Sequence, residues 1–399
     1  MLSSGLQRWS SSPPELRAFL WGILLLGINQ GILNSTFNNY LSDGFSLSAS
    51  ARGVLEFPRE LPGFLLIFVT GALAAWSMRA WAVLVGLISA VGVAGLGFLS
   101  PSVLTMALWM MCWSLADHLF MPVESAVGLR LARAGRAGRR LGQISGARNF
   151  AMILGAGVVW LLAGAGKTPA YGRLYAVAVA AALAAAWAFG RLGAPEGSGG
   201  GRRVVWRGEY RWFYWLNVLF GARKQVFLTF APWVLVTVFK TPARTMAVLF
   251  LTAAALGVVF RQAFGEAVDR FGERKVFYAD AAILFVICAG FALSRNIWVL
   301  YALYILDNLM FATRIARTTY LDKIAVDRKD IPATLSLGVT LDHAASMTVP
   351  VLGGLLWAAC GYPAVFWTAS VVAGAVFLVA RRVETVKATS GAGSRSPAS

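Results

Sequence analysis

Charged residues are scarce in this sequence: 14% of its 399 residues are Asp, Glu, Lys or Arg, where soluble domains carry about 25%. So little charge cannot cover a surface in water, and the 58% of hydrophobic residues need another solvent. Cysteine is scarce too. Cys112, Cys288 and Cys360 each fall in an apolar segment with no CxxC spacing, which excludes a disulfide framework and a thiolate metal site. The two histidines, His118 and His343, belong to no HExxH pattern and no local histidine cluster, so no metal site is expected. A complete GxxxxGK[ST] phosphate loop is missing, which argues against a nucleotide-driven pump. No catalytic residue types gather at one end of the apolar segments, so neither an enzyme nor a cofactor is expected. A cleavable signal peptide is not expected either, because a Ser/Pro stretch, Ser10 to Pro14, precedes the first apolar segment and no small-residue cleavage site follows it.

What the sequence has is apolar runs of membrane length. A helix needs roughly 20 residues to cross hydrocarbon, and Phe64 to Trp76, Trp81 to Leu99, Ala176 to Phe189 and Val371 to Ala380 form or lie within such runs. Twelve transmembrane helices are predicted near 18–42, 50–76, 80–98, 102–130, 141–165, 172–191, 210–239, 244–267, 276–294, 297–321, 332–359 and 362–381. The net charge of +18 would suggest nucleic acid in a soluble protein, but its placement argues otherwise. With the N-terminus in the cytoplasm, inside segments hold 23 Lys or Arg and outside loops hold six. Arg130, Arg133, Arg136, Arg139 and Arg140 cluster after the fourth helix, and Arg202, Arg203 and Arg207 in the middle loop. By the positive-inside rule both termini are cytoplasmic, and the basic excess is an orientation signal with no nucleic-acid partner.

The Gly- and Arg-rich stretch 193–209 reads as a cytoplasmic linker between six-helix bundles at 1–192 and 210–384, with a small, polar tail at 385–399. The halves echo each other. A shift of 194 places Gly27 on Gly221, Gly71 on Gly265 and Arg148 on Asp342, and a shift of 190 places Asp117 on Asp307. The difference of four residues is about one helical turn and keeps the same face. After the eighth helix the chain reads Gly265-Glu266-Ala267-Val268-Asp269-Arg270-Phe271-Gly272-Glu273-Arg274-Lys275. This resembles the GxxxDRxGxRK loop motif of the major facilitator superfamily, and with two six-helix halves the resemblance covers the whole chain. In such a motif the glycines permit close approach and a tight turn. Asp269 would sit at a helix N-terminus or pair with an arginine, while Arg270, Arg274 and Lys275 hold the cytoplasmic face. The counterpart after the second helix keeps Gly71 but has Ala75 and Trp76 in place of the Asp-Arg pair. Val349-Pro350-Val351-Leu352-Gly353-Gly354 is similar to an element of the family's drug antiporters, but it lies in the eleventh helix and not the fifth.

The resemblance implies a solute site lined by the first, fourth, seventh and tenth helices. Ionisable residues at the bilayer centre cost about 2.5–3.5 kcal/mol on insertion scales and mark pathways, relays or pairs. Those helices supply Asn29, Gln30 and Asn34; Asp117, His118 and Glu124; Arg223, Lys224 and Gln225; and Asp307, Asn308 and Arg314. Arg223 and Lys224 point about 100° apart, so one is expected on the cavity, favouring an anionic or zwitterionic substrate, with a salt bridge as the alternative. Asp117 and Arg148 form a candidate ion pair, and Arg314 is expected near Asp307 or Asp342. Glu56, Arg59 and Glu60, at i, i+3 and i+4, form a self-neutralising cluster for structure or gating. Asp117-His118 and Asp342-His343, with Asp307, are the candidate proton-coupling groups. The resulting reading is a monomeric secondary transporter of the inner membrane. It would carry a small polar solute by alternating access, coupled to protons. The alternative is a receptor or scaffold that keeps the fold without transport.

Overall fold

A computed structural model describes residues 13–72, 76–132, 137–164, 169–193, 205–327 and 330–383. The tail at 385–399, most of the linker, and Ala75, Arg133, Arg136, Arg202 and Arg203 lie outside the described residues. Among the described residues there are helices and turns and no strand. The first half contains α1 (Pro14–Phe45), α2 (Ala49–Val54), α3 (Glu56–Ala72), α4 (Met78–Phe98), α5 (Val103–Arg130), α6 (Ala137–Leu162) and α7 (Tyr171–Phe189). The second contains α8 (Arg211–Trp233), α9 (Ala243–Phe271), α10 (Glu273–Leu293), α11 (Ile297–Met310), α12 (Arg314–Ile324), α13 (Ile331–Cys360) and α14 (Tyr362–Ala380).

Local chemistry sets several of these boundaries. Ser102 and Thr105 form a reciprocal capping box at the start of α5, satisfying amides that have no partner in the helix. Gly272 and Gly361 are the single residues joining α9 to α10 and α13 to α14. Both have φ of 79°, a conformation open to glycine at little cost. The second glycine of the loop motif thus makes the tight turn expected of it. Gly265 does not make a close approach, since a Cβ there would meet nothing within 4 Å.

Ten helical stretches among the described residues are long and apolar enough to cross a membrane, and apolar side chains such as Leu161, Val259, Trp298 and Val371 stand exposed on the outside. The protein is a multi-pass membrane protein. Of the twelve expected spans, the second and seventh fall outside this set. The second is broken at Leu55, leaving α3 with 17 residues, and α8 carries Asn217, Arg223, Lys224 and Gln225. The tenth is also broken. Between α11 and α12 lies a 3-10 turn, Phe311–Thr313, where the sequence predicts an unbroken helix.

Packing in the two halves follows one plan. α1 packs on α6 and α7, and α4 on α5 and α7; α8 packs likewise on α13 and α14, and α10 on α11 and α14. The repeat seen in the sequence is a spatial one. A Cβ on Gly27 would lie 3.1 Å from the Arg148 carbonyl oxygen, and one on Gly221 would lie 2.5 Å from the Asp342 carbonyl oxygen. The shift of 194 therefore relates two equivalent helix crossings. Gly27 and Gly31 on α1 face Ala151, Met152 and Gly155 on α6, a small-xxx-small contact. Lipid supplies little hydrophobic drive between helices, so close backbone packing does that work.

The halves meet along two seams, α13 against α2 and α3, and α6 against α9. They are tightest toward the end where α1 finishes. There Gly53 and Gly354 allow α2 and α13 into backbone contact, Asn39 Nδ2 donates to the Thr241 carbonyl at 2.9 Å, and Arg244 lies 4.6 Å from the Trp160 ring centroid. At the opposite end Gly142 and Gly146 on α6 and Gly265 on α9 face open space. The α1–α6 crossing should therefore be intolerant of bulk. Gly155→Val is expected to lower the melting temperature in detergent well beyond Gly157→Val, whose added atoms meet open space. Equal shifts in a fluorescence melt would contradict this packing.

Candidate functional site

A cavity of about 390 Å³ lies between the halves, within the range of small-molecule sites. Its polar lining comes from Asn34 and Asn38 on α1, Asn149 on α6, and Asp307 and Asn308 on α11. Arg52, Glu56 and Arg59 contribute from the second helix and Arg261 from α9. Phe37, Trp113, Phe227, Phe250, Tyr304 and Phe311 supply apolar walls. The first, fourth, seventh and tenth helices all reach it, as expected, and the second, fifth and eighth join them.

The charges around the cavity are mostly paired. Glu56 is the hub of the N-terminal side: Arg52 Nη1 donates to it at 2.5 Å and Arg59 Nε at 2.6 Å. Arg59 also bonds Glu60, at 2.7 Å. This cluster is then tied to the other half. Gln225 Nε2 of α8 donates to Glu56 at 2.5 Å, and His343 Nδ1 of α13 lies 2.9 Å from Glu60 Oε2. The expected self-neutralising trio is thus present and is part of the seam.

In the C-terminal half Arg223 is buried between two carboxylates, Asp280 at 3.1 Å and Asp307 at 3.2 Å. Its Nη1 also reaches the Met310 carbonyl at 3.5 Å, and the Thr313 hydroxyl donates to the same oxygen at 3.0 Å. That carbonyl is where α11 breaks, so the break is tolerated because side chains satisfy the freed backbone, as irregular backbone in a membrane requires. Lys224 turns the other way, to Asp342 at 2.8 Å. Neither Arg223 nor Lys224 is among the residues lining the cavity; both form the salt bridges that were the alternative reading. The cation that does line it without a carboxylate within 4.0 Å among the described residues is Arg261.

Other expectations need correction. Asn29 is fully buried inside the first half, donating to the Ala178 carbonyl at 3.0 Å and accepting from Ser89 at 3.2 Å, so it fastens helices and is absent from the cavity lining. Gln30 donates to Asp117 at 2.9 Å. Arg148 pairs with Glu124 at 2.8 Å and not with Asp117, because Glu124 lies two turns further along α5, level with Arg148. Arg314 is exposed and bridges neither Asp307 nor Asp342. In the loop motif Asp269 sits exposed in the last turn of α9, not at a helix N-terminus, and has no cation within 4.0 Å among the described residues. Arg270 lies over the Phe271 ring, Arg274 bonds the Tyr278 hydroxyl at 3.3 Å, and Lys275 follows in the first turn of α10. The halves stand apart at this end, and among the described residues the motif's contacts stay within its own half, including Glu273 with Lys323 at 2.8 Å. The expectation that no histidine cluster exists also fails: His118 and His343, one from each half, stand edge to face with ring centroids 4.8 Å apart.

The sequence reading passed over Asp280, Arg52, Arg261 and Arg317. Asp280 and Arg261 are isolated charges within long apolar stretches, the same signal that marked the others. Arg223→Met should destabilise strongly, because it leaves two buried carboxylates without their cation. A loss of about 3–5 kcal/mol is typical of such breakage. The triple change Arg223→Met, Asp280→Asn, Asp307→Asn should recover most of it in a thermal melt. A triple variant no more stable than Arg223→Met would contradict the pairing.

No family model and no curated protein sequence matches the chain. Solved structures do. A mutant of the nucleoside transporter NupG superposes with a TM-score of 0.76 at 14% identity, covering 94% of this chain and 100% of that one. A bacterial homologue of the iron transporter ferroportin, in an inward-facing state, gives 0.73 at 12% identity, with 92% and 98% covered. A D-xylose-proton symporter gives 0.69 at 17% identity, with 93% and 97% covered. At such identities the likeness speaks to architecture, and it runs over nearly the full length of each chain. The chain has the fold of the major facilitator superfamily transporters.

Proposed function

We propose that this protein is a secondary transporter that moves a small polar solute, anionic or zwitterionic, by alternating access. The observation that carries this reading is the closed seam with a polar cavity beneath it, lined by Arg261 with no carboxylate within 4.0 Å among the described residues. Such a guanidinium favours a carboxylate or phosphate through charge-assisted, bidentate hydrogen bonds. Asn34, Asn149 and Asn308 offer amides for the remaining polar groups, and Trp113, Phe37 and Tyr304 a surface for an apolar or flat body. The transporters that share the fold carry nucleosides and xylose by their descriptions, both small polar solutes.

The chain would cross the inner membrane twelve times as a monomer, with both termini cytoplasmic. The bundles at 1–192 and 210–384 would rock about the cavity as the linker at 193–209 spans them. Reopening the closed end means breaking the Glu56–Gln225 and Glu60–His343 contacts together with Asn39–Thr241. Proton coupling falls to Asp307. It shares Arg223 with Asp280, so two carboxylates meet one guanidinium, and Asp307 is the one of the pair that lines the cavity. Arg317, the next cation, bonds Asn217 at 2.6 Å and lies over the Phe220 ring. Protonating Asp307 would remove the excess negative charge and loosen its hold on Arg223 at the break between α11 and α12.

Two measurements in proteoliposomes check this. Arg261→Gln should raise the KM for an anionic solute at least tenfold while leaving protein stability unchanged. An unaltered KM for every transported anion would contradict the assigned role. Asp307→Asn should abolish accumulation driven by a pH gradient but preserve solute exchange at equal pH. Gradient-driven accumulation at the wild-type level would remove Asp307 from the coupling.

A further inference from the structure

We infer that Glu60, His118 and His343 form a binding site for a divalent transition-metal ion of the zinc type, bridging the two halves. Glu60 comes from α3, His118 from α5 and His343 from α13, and all three side chains are buried. One potential ligand atom from each lies within 4.8 Å of the others. Zinc bonds of about 2.1 Å at tetrahedral angles separate neighbouring ligand atoms by roughly 3.4 Å, so small side-chain rotations would close the set around an ion.

The geometry of each ring suits this use. His118 Nδ1 lies 2.8 Å from the Ser114 carbonyl oxygen. A carbonyl accepts only, so Nδ1 carries the proton and Nε2 keeps its lone pair. That is the outer-shell bond that typically orients a metal-binding imidazole. The freed Nε2 points at Gly63, where a Cβ would lie 2.5 Å from it and 2.7 Å from His343 Cε1. The space into which both rings converge exists because residue 63 has no side chain. On the other side, His343 Nδ1 and Glu60 Oε2 share one proton across 2.9 Å, and a metal ion would take that proton's place. Glu60 Oε1 is held by Arg59, which fixes the carboxylate's direction.

The local charge balance permits a cation. Beside this point Arg52 and Arg59 pair with Glu56 and Glu60, and Lys224 with Asp342, so no unpaired cation stands next to the three ligands among the described residues. Asp117, the residue before His118, accepts a hydrogen bond from the Gln30 amide. None of the three ligands is among the cavity's lining residues. An ion here would therefore be a clamp on the seam and not cargo in transit, stabilising the arrangement in which α3 and α13 are joined. This site stands whether or not the transported solute is the one proposed above.

The test is zinc binding to the full chain, free of any histidine tag, in lipid nanodiscs, followed by competition with a fluorescent chelator. One ion per chain is expected, with affinity reduced at least tenfold in His118→Gln and in His343→Gln, and a zinc-dependent rise in melting temperature confined to the wild type. X-ray absorption on the zinc-loaded wild type, which does not depend on any variant folding, should show two imidazoles and oxygen in the ion's coordination shell. Stoichiometric binding that survives either substitution, a shell without imidazole, or no binding at micromolar zinc would each overturn the site.

Discussion

A charge inside hydrocarbon needs a partner, and that constraint organises this molecule. Insertion costs of about 2.5–3.5 kcal/mol per ionisable residue would be prohibitive for the buried charges near mid-depth if they stood alone. They do not. Arg52, Glu56, Arg59 and Glu60 neutralise one another on the second helix, Arg223 serves Asp280 and Asp307, and Lys224 serves Asp342. Among the described residues, the direct hydrogen bonds from carboxylates across the seam run to groups with little or conditional charge, Gln225 and His343. Strong pairs therefore lie within each half and weaker links lie between halves. In the proposed transport cycle a bundle held in this way would separate from its partner without breaking these ion pairs.

The cavity inherits its chemistry from the same rule. Arg223 and Lys224 find acids inside their own half and are withdrawn from the lumen, whereas Arg52 and Arg59 line it beside their partner Glu56. Facing it are a set of amides, a wall of aromatic rings, the Arg52–Glu56–Arg59 cluster, Asp307 and Arg261, the lining cation with no carboxylate within 4.0 Å among the described residues. In the proposed function, substrate preference follows from which lining cation is left over, not from how many cations the helices contain. The break at Phe311–Thr313 belongs to this logic too, since Arg223 both closes the charge pair and reaches the carbonyl released there.

Much of the architecture was legible in the residues. Apolar runs announce the membrane helices, and the pairing of Gly27 with Gly221 and of Arg148 with Asp342 at one shift marks two crossings that the structure superposes by the same contact. Gly272 was readable as a turn residue because its place in the loop motif demands positive φ. Partner choice was not readable. Depth along a helix can be estimated from residue number, but which neighbour lies beside which face depends on how the helices cross. Thus Arg148 meets Glu124 in place of Asp117, and Asn29 turns into its own bundle. The two histidines, one in each half, converge only because Gly63 leaves room between their helices, and no spacing in the sequence encodes that.

In the proposed cycle the halves move against each other about a seam of weak links while each keeps its own ion pairs. Spin-label distances across the two ends test it most directly. In a cysteine-free background, one pair would be placed at the exposed positions Val103 and Trp298, near the starts of α5 and α11. A second would be placed at Leu129, near the end of α5, and Thr318, exposed within α12. On addition of a transported solute or a change of pH, the first distance should lengthen as the second shortens. Distances that stay fixed, or that change in the same direction at both ends, would contradict rocking of the two halves about the cavity.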